Sequence, residues 1–95
     1  NITILINLGF RINLEQIHAD LGTSNMSDIF AGATNETIVL LDKQKFPALI
    51  AKPNKNSEIV LEIYSTGAIN ATGLKSNESI DDVMTYIKNR ICPLI

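Results

Sequence analysis

Residues 46–75 read FPALIAKPNKNSEIVLEIYSTGAINATGLK, and this stretch decides the fold. An apolar run from Phe46 to Lys52 is stopped by Pro53, which cannot donate to a strand ladder. Apolar and polar residues then alternate from Glu58 to Tyr64, which puts successive side chains on opposite faces of a strand. A third run, from Ala68 to Thr72, follows the turn S-T-G. The stretch therefore predicts three strands, joined by a polar loop and a tight turn.

Two glycines punctuate this stretch, and a long helix follows it. Gly67 supplies the positive φ that a tight hairpin turn requires, and Gly73 is expected to close the third strand. Ser76 is a good N-cap, and Pro93 is expected to end the helix. One face of this helix is apolar, because five residues recur at helical spacing: Ile80, Val83, Met84, Ile87 and Ile91.

The N-terminal half predicts a strand, a short helix and another strand. Residues 1–8 alternate between apolar and polar in the manner of a half-buried strand. Asn13 can cap a helix over residues 13–21, with Gln16 completing a capping box. Residues 22–36 are polar and read as a loop with one helical turn, and residues 37–41 predict a short strand.

This order predicts an α+β domain in which two helices cover one face of an antiparallel sheet and leave the other face bare. Ninety-five residues make one domain, or one repeat of a larger fold. The chain begins with Asn1 rather than Met, which leaves open a fragment of a longer chain. The alternation predicts the following residues on the covered, core face: Ile2, Ile4, Ile6, Leu49, Ile59, Leu61, Ile63 and Ile69.

Hydrophobic content and net charge limit the classes of function that the chain can have. The hydrophobic content of 45% predicts a folded globule, and no apolar run approaches the roughly 20 residues that would cross a bilayer. The net charge is −2 and the pI about 5.2, whereas a nucleic-acid-binding domain is usually basic. Composition alone therefore does not point to DNA.

No catalytic or metal-binding constellation is apparent. His18 has no second His or Cys near it in sequence, and Asp81 with Asp82 fits the favourable charge of a helix N-terminus. Cys92 is the only cysteine, so it cannot form an intramolecular disulfide, and it is expected to be a small buried hydrophobe. The sequence predicts no enzyme, no metal and no cofactor.

The quoted stretch resembles one repeat of the TATA-box-binding protein (TBP) family. In that family F-P-G-L-I opens a strand, I-F-x-S-G-K turns a hairpin and T-G-A-K precedes a long helix; the counterparts here are F-P-A-L-I, I-Y-S-T-G-A and T-G-L-K. N-I-T-I-L-I-N-L-G is similar to the family's first strand. The resemblance implies a curved, helix-grip-type sheet and a role in transcription initiation. The abundance of Ile and Asn is typical of AT-rich genomes, such as those of some large DNA viruses or protists.

In the family two repeats form a saddle on the DNA minor groove, where Phe pairs wedge between base steps. The resemblance implies that Phe46 and Tyr64 occupy the two wedge positions of one repeat. It also implies double-stranded, AT-rich DNA as the ligand, and a nuclear location or a site of viral transcription. The remaining residues implied to contact DNA lie on the groove face or at basic positions near phosphates: Asn1, Thr3, Asn70 and Thr72 on the face, and Lys45, Lys52 and Lys75 at phosphates.

The loop between the first two strands of the quoted stretch corresponds to the family's stirrup, which docks general transcription factors. The resemblance therefore implies that Pro53, Asn54, Lys55 and Asn56 bind protein partners. It also implies a second TBP-like repeat, in the same chain or from a second copy in a homodimer. No membrane partner is implied.

Some positions depart from the family, and two other functions stay open. Glu62 stands where the family has an apolar groove residue, Tyr64 replaces a Phe and Ala68 replaces a Lys. A carboxylate facing DNA opposes binding. One alternative is an accessory nucleic-acid-binding module of a nuclease, as in type 3 ribonucleases H. The other is a protein-interaction domain that has lost TATA binding.

Overall fold

The computed structural model describes residues 2–21, 38–53 and 57–94, which form an α+β fold. The strands are β1 (Ile2–Asn7), β2 (Ile38–Leu40), β3 (Ala48–Lys52), β4 (Val60–Tyr64) and β5 (Ala68–Leu74). Helix α1 spans Leu14–Leu21 and helix α2 spans Asn77–Tyr86. A π-helical segment (Ile87–Ile91) and a 3-10 turn (Cys92–Leu94) continue α2.

The five strands form one antiparallel sheet in the order β1-β5-β4-β3-β2. The sheet registers align residues of one face across the strands, so that Ile63 faces Leu49 on one side and Ile69 on the other. Ile69 in turn faces Ile6 of β1. This face is the core: Leu49, Ala51, Leu61, Ile63, Ile69 and Ala71 are buried in it.

Both helices pack on the core face. The N-cap of α1 is Asn13, whose side chain accepts a hydrogen bond from the Gln16 N–H at 3.1 Å, and α1 buries Leu14 and Ile17. The N-cap of α2 is Ser76, whose Oγ accepts from the Ser79 N–H at 3.3 Å. Side-chain oxygens at these positions satisfy N–H groups that the first turn of a helix leaves unpaired. Both predicted caps are confirmed.

The C-terminal helical segment differs from its prediction in three ways. Met84 is 46% exposed, whereas Tyr86 is buried against the core. The helix does not stop at Pro93, because the chain widens into the π-helical segment and then tightens into the 3-10 turn. Cys92 lies in the 3-10 turn and is exposed rather than buried, whereas the neighbouring Ile91 is buried.

The strand bounds also differ from prediction. Phe46 precedes β3 instead of opening it, because residues 43–45 still form a turn in which the Lys45 and Phe46 N–H groups donate to Asp42 O. Strand β4 begins at Val60, two residues later than predicted. Ile2 is 37% exposed and so lies at the margin of the core, because β1 is an edge strand.

Gly73 lies inside β5 and does not close it. The pairing of β1 with β5 shifts between Ile2 and Ile4, so β5 has one residue more than its partner there. Gly73 has φ +76°, and a Cβ at this position would clash with the Glu58 carbonyl group. The bulge returns Leu74 to the core face, where it is fully buried.

Candidate nucleic-acid interface

The face of the sheet opposite the helices is uncovered among the described residues. Its side chains are half-buried or exposed, except Ala48, which is buried although it is not part of the core cluster. By the strand registers the open face consists of Thr3, Leu5 and Asn7 of β1, Ala68, Asn70 and Thr72 of β5, Val60, Glu62 and Tyr64 of β4, Ala48, Ile50 and Lys52 of β3, and Ile38 and Leu40 of β2. We call this set the open face.

Phe46 and Tyr64 form an aromatic pair at one end of the open face. Their ring centroids are 6.4 Å apart and their planes are inclined by 55°. Tyr64 faces Ala48 across β3 and β4, so the small Ala48 side chain leaves room for the rings beside it. Tilted aromatic pairs at this distance attract through their quadrupoles. Both rings remain partly accessible to a ligand.

Glu62 and Asn70 form a polar pair near the centre of the open face. They face each other across β4 and β5, and Asn70 Nδ2 donates to Glu62 Oε1 at 3.4 Å. A single row of facing residues crosses all five strands through this pair: Leu5, Asn70, Glu62, Ile50 and Leu40. The pair is therefore flanked by apolar side chains, of which Leu5 is 73% exposed.

Cations lie around the rim of the open face. Lys45 is exposed beside Phe46, and Lys52 is half-buried at the end of β3. Lys75 forms a salt bridge with Glu58 at 2.7 Å. The hydrogen bond from Lys75, together with its charge, holds the pKa of the Glu58 carboxyl below its usual value. A second ion pair joins Lys43 to Glu15 of α1, on the helix side of the molecule.

The structure brings together Phe46 and Tyr64 of the predicted site, and it places Thr3, Asn70 and Thr72 on the open face. Pro53 is buried where β3 ends. Four predicted residues lie outside the described ranges: Asn1 of the groove face and Asn54, Lys55 and Asn56 of the stirrup.

Sequence reasoning missed the Glu58–Lys75 ion pair and the Asn70–Glu62 hydrogen bond. A signal for both exists in the hairpin of β4 and β5. Residues equally distant from its turn face each other, as Glu62 and Asn70 do, and Glu58 and Lys75 are oppositely charged residues at the far ends of the same hairpin.

The comparisons with known proteins agree with this geometry. The family model described as "Transcription factor TFIID (or TATA-binding protein, TBP)" matches residues 1–94. The chain belongs to the TBP family. Members of this family are DNA-binding transcription factors.

A solved structure, Methanococcus jannaschii TBP, matches with a TM-score of 0.66 and 22% sequence identity. The match covers 98% of this chain and 46% of that chain, so this chain spans about half the length of that TBP. At this identity the likeness shows the fold, a TBP-like single-repeat arrangement. A search of curated protein sequences returned no match.

Two further searches of the described residues were negative. No described helix is long and apolar enough to cross a membrane. No group of three or more His, Cys, Asp or Glu side chains in residues 2–21, 38–53 and 57–94 is arranged to hold a metal ion.

Proposed function

We propose that this chain is a TBP-like domain of a transcription-initiation factor, and that it binds the DNA minor groove through the open face. Phe46 and Tyr64 act as the wedge in this proposal, and Thr3, Asn70 and Thr72 contact base edges. Lys45, Lys52 and Lys75 contact phosphates at the rim. Membership of the TBP family supports the ligand class.

The aromatic pair carries the proposal. Minor-groove proteins that bend DNA insert apolar side chains between base steps, and this requires accessible rings at the edge of a broad surface. Phe46 and Tyr64 are distant in sequence, but their ring centroids lie 6.4 Å apart, at one end of the open face. Neither ring is taken up by the core.

The test is a fluorescence-anisotropy titration with a TATA-containing duplex and a GC-rich duplex at low and moderate salt. We expect the TATA duplex to bind more tightly, because AT-rich steps kink at lower cost. Phe46→Ala is expected to weaken that binding by about tenfold or more, since loss of a stacked aromatic is worth roughly 1–3 kcal/mol.

Met84→Ala is the matched control, because it removes an exposed apolar side chain of similar size from the helix layer. It should leave the affinity unchanged. Equal, weak binding of both duplexes that Phe46→Ala does not change would contradict the minor-groove proposal for this domain.

A second candidate function is protein interaction without DNA binding. The observation in its favour is the Glu62 carboxylate near the centre of the open face, held by Asn70. Such a charge repels a phosphate-lined groove but suits a basic peptide. Absence of binding to either duplex, even at low salt, would favour this second function.

We further propose that residues 1–95 make up one repeat of a saddle. A second TBP-like repeat, in the same protein or in a second copy of this chain, would complete it. Residues 53–56 would dock general transcription factors, and the protein would act in the nucleus or at a site of viral transcription. Sedimentation equilibrium with and without duplex distinguishes a monomer from a homodimer.

A further inference from the structure

We infer that the Glu62–Asn70 pair reads the 2-amino group of guanine, so that the open face selects a G·C pair at one position of an otherwise AT-rich site. This inference rests on the proposed minor-groove binding and deepens it. It concerns which base pair sits over the centre of the face.

The chemistry of the minor groove leads to this assignment. An A·T pair presents only acceptors there, whereas a G·C pair adds one donor, the guanine N2 amino group. An ionised carboxylate is an acceptor only. Over an A·T pair Glu62 would therefore be desolvated with Asn70 as a donor but none from the base pair, which is costly for a charged group. Over a G·C pair the amino group supplies the missing donor.

The pair is also arranged as an acceptor beside a donor. Asn70 Nδ2 uses one of its two hydrogens on Glu62 Oε1, at 3.4 Å. Its second hydrogen is available for a base acceptor, and Glu62 has no further hydrogen bond or salt bridge to the described residues. Guanine presents the complementary arrangement in the minor groove, with the N2 donor next to the N3 acceptor.

The position of the pair makes this contact specific. Glu62 lies on β4, the middle strand of the sheet, and its row continues through Asn70 to Leu5 and through Ile50 to Leu40. The side chains that flank the pair within this row are apolar, whereas Lys52 and Thr72 lie one residue pair further along the same face. A base pair seated on this row would meet one polar pair between apolar neighbours.

The experiment compares duplexes that differ in a single base pair, which is moved along an AT-rich core. The four pairs are A·T, G·C, inosine·C and 2,6-diaminopurine·T. Inosine lacks the amino group of guanine, and diaminopurine adds it to adenine. At one position we expect the two amino-bearing pairs to bind about tenfold more tightly than the other two, as one good base-edge contact provides.

Two variants test whether Glu62 causes the preference for amino-bearing base pairs. Glu62→Val removes the acceptor and should abolish the preference, with A·T bound at least as tightly as G·C. Glu58→Gln removes the same charge outside the row and should leave the ratio between amino-bearing and amino-free duplexes unchanged. Circular dichroism melts establish that both variants are folded at the assay temperature.

The outcomes are distinguishable. A tenfold amino preference that Glu62→Val abolishes supports the inference. Three outcomes would overturn the inference without contradicting minor-groove binding. They are equal binding of the four duplexes, a preference for A·T and inosine·C, and an equal preference for G·C and inosine·C. Absence of binding to every duplex would overturn both the inference and the proposed function.

Discussion

At the residue scale, Gly73 shows how a single glycine lets a strand accommodate a bulge. Strand β5 carries an extra residue there, and Gly73 absorbs it with a positive φ and a close approach to the Glu58 carbonyl. The sequence analysis placed the end of the strand at this glycine, although an isolated glycine in a strand pattern also often marks a bulge. Which carbonyl group lies opposite it cannot be read from the sequence.

Gly73→Ala is therefore expected to destabilise the fold by about 2–4 kcal/mol, since backbone strain adds to a steric clash. Gly9→Ala is the matched control: Gly9 also has a positive φ, of +85°, but a Cβ there meets nothing within 4 Å. It should cost about 1–2 kcal/mol, the strain alone. Urea denaturation measures both. Equal costs for the two variants would contradict the clash at Glu58.

The hydroxyl group of Tyr64 is expected to affect the affinity for DNA. Its ring pairs with Phe46, and its hydroxyl would be desolvated if the ring entered a base step. Tyr64→Phe should therefore bind the TATA duplex about threefold more tightly with little change in stability, as anisotropy and thermal melts would show. Weaker binding would instead indicate that the hydroxyl donates a hydrogen bond to the DNA.

At the scale of elements, strand alternation predicted the faces well and helix periodicity less so. Alternation in residues 58–64 placed Leu61 and Ile63 in the core and Glu62 on the open face, as observed. In α2 the apolar stripe centres near Val83, which is fully buried. At about 100° per residue, Met84 lies about 100° from that centre and Tyr86 only about 60°. The prediction chose Met84 because its side chain is apolar. The angular position around the helix axis favours Tyr86 for the buried face.

The π-helical segment has no comparable signal in the sequence. Residues 87–91 have no sequence pattern that distinguishes a π-helical turn from an α-helical one. Ile87 and Ile91 are both buried, as residues four apart would also be on the core face of an α-helix. The start of α2, by contrast, was predictable, because the Ser76 cap is a local interaction.

That local interaction can be tested directly. Ser76→Ala removes the acceptor for the Ser79 N–H and should destabilise the domain by about 1 kcal/mol, which corresponds to a Tm about 4–8 °C lower for a chain of this size. Ser76→Asp retains an acceptor and should stay close to wild type. A loss in Ser76→Asp as large as in Ser76→Ala would show that the cap is not the source of the stability.

At the scale of the whole molecule, the sequence predicted the open face but not its electrostatics. The net charge of −2 argued against DNA, while membership of the TBP family argues for it. The ion pairs show which charges stand at the rim of the open face and which lie elsewhere. Glu58 holds Lys75 at the rim of the open face, and Glu15 holds Lys43 on the helix side. Hydrogen bonds from these lysines hold the pKa of both carboxyls below the usual value, so both carboxyls stay ionised to a lower pH than a free glutamate.

The salt dependence of DNA binding tests this account. In the wild type a phosphate contact of Lys75 has to replace its ion pair with Glu58, which reduces the contribution of Lys75 to binding. Glu58→Gln releases Lys75 and should make the slope of log K against log salt more negative by up to about 0.9, because one more phosphate is neutralised. Glu15→Gln changes the net charge by the same amount but releases Lys43 on the helix side, so its slope should match wild type. If both variants steepen the slope equally, net charge governs binding and the rim position of Lys75 does not.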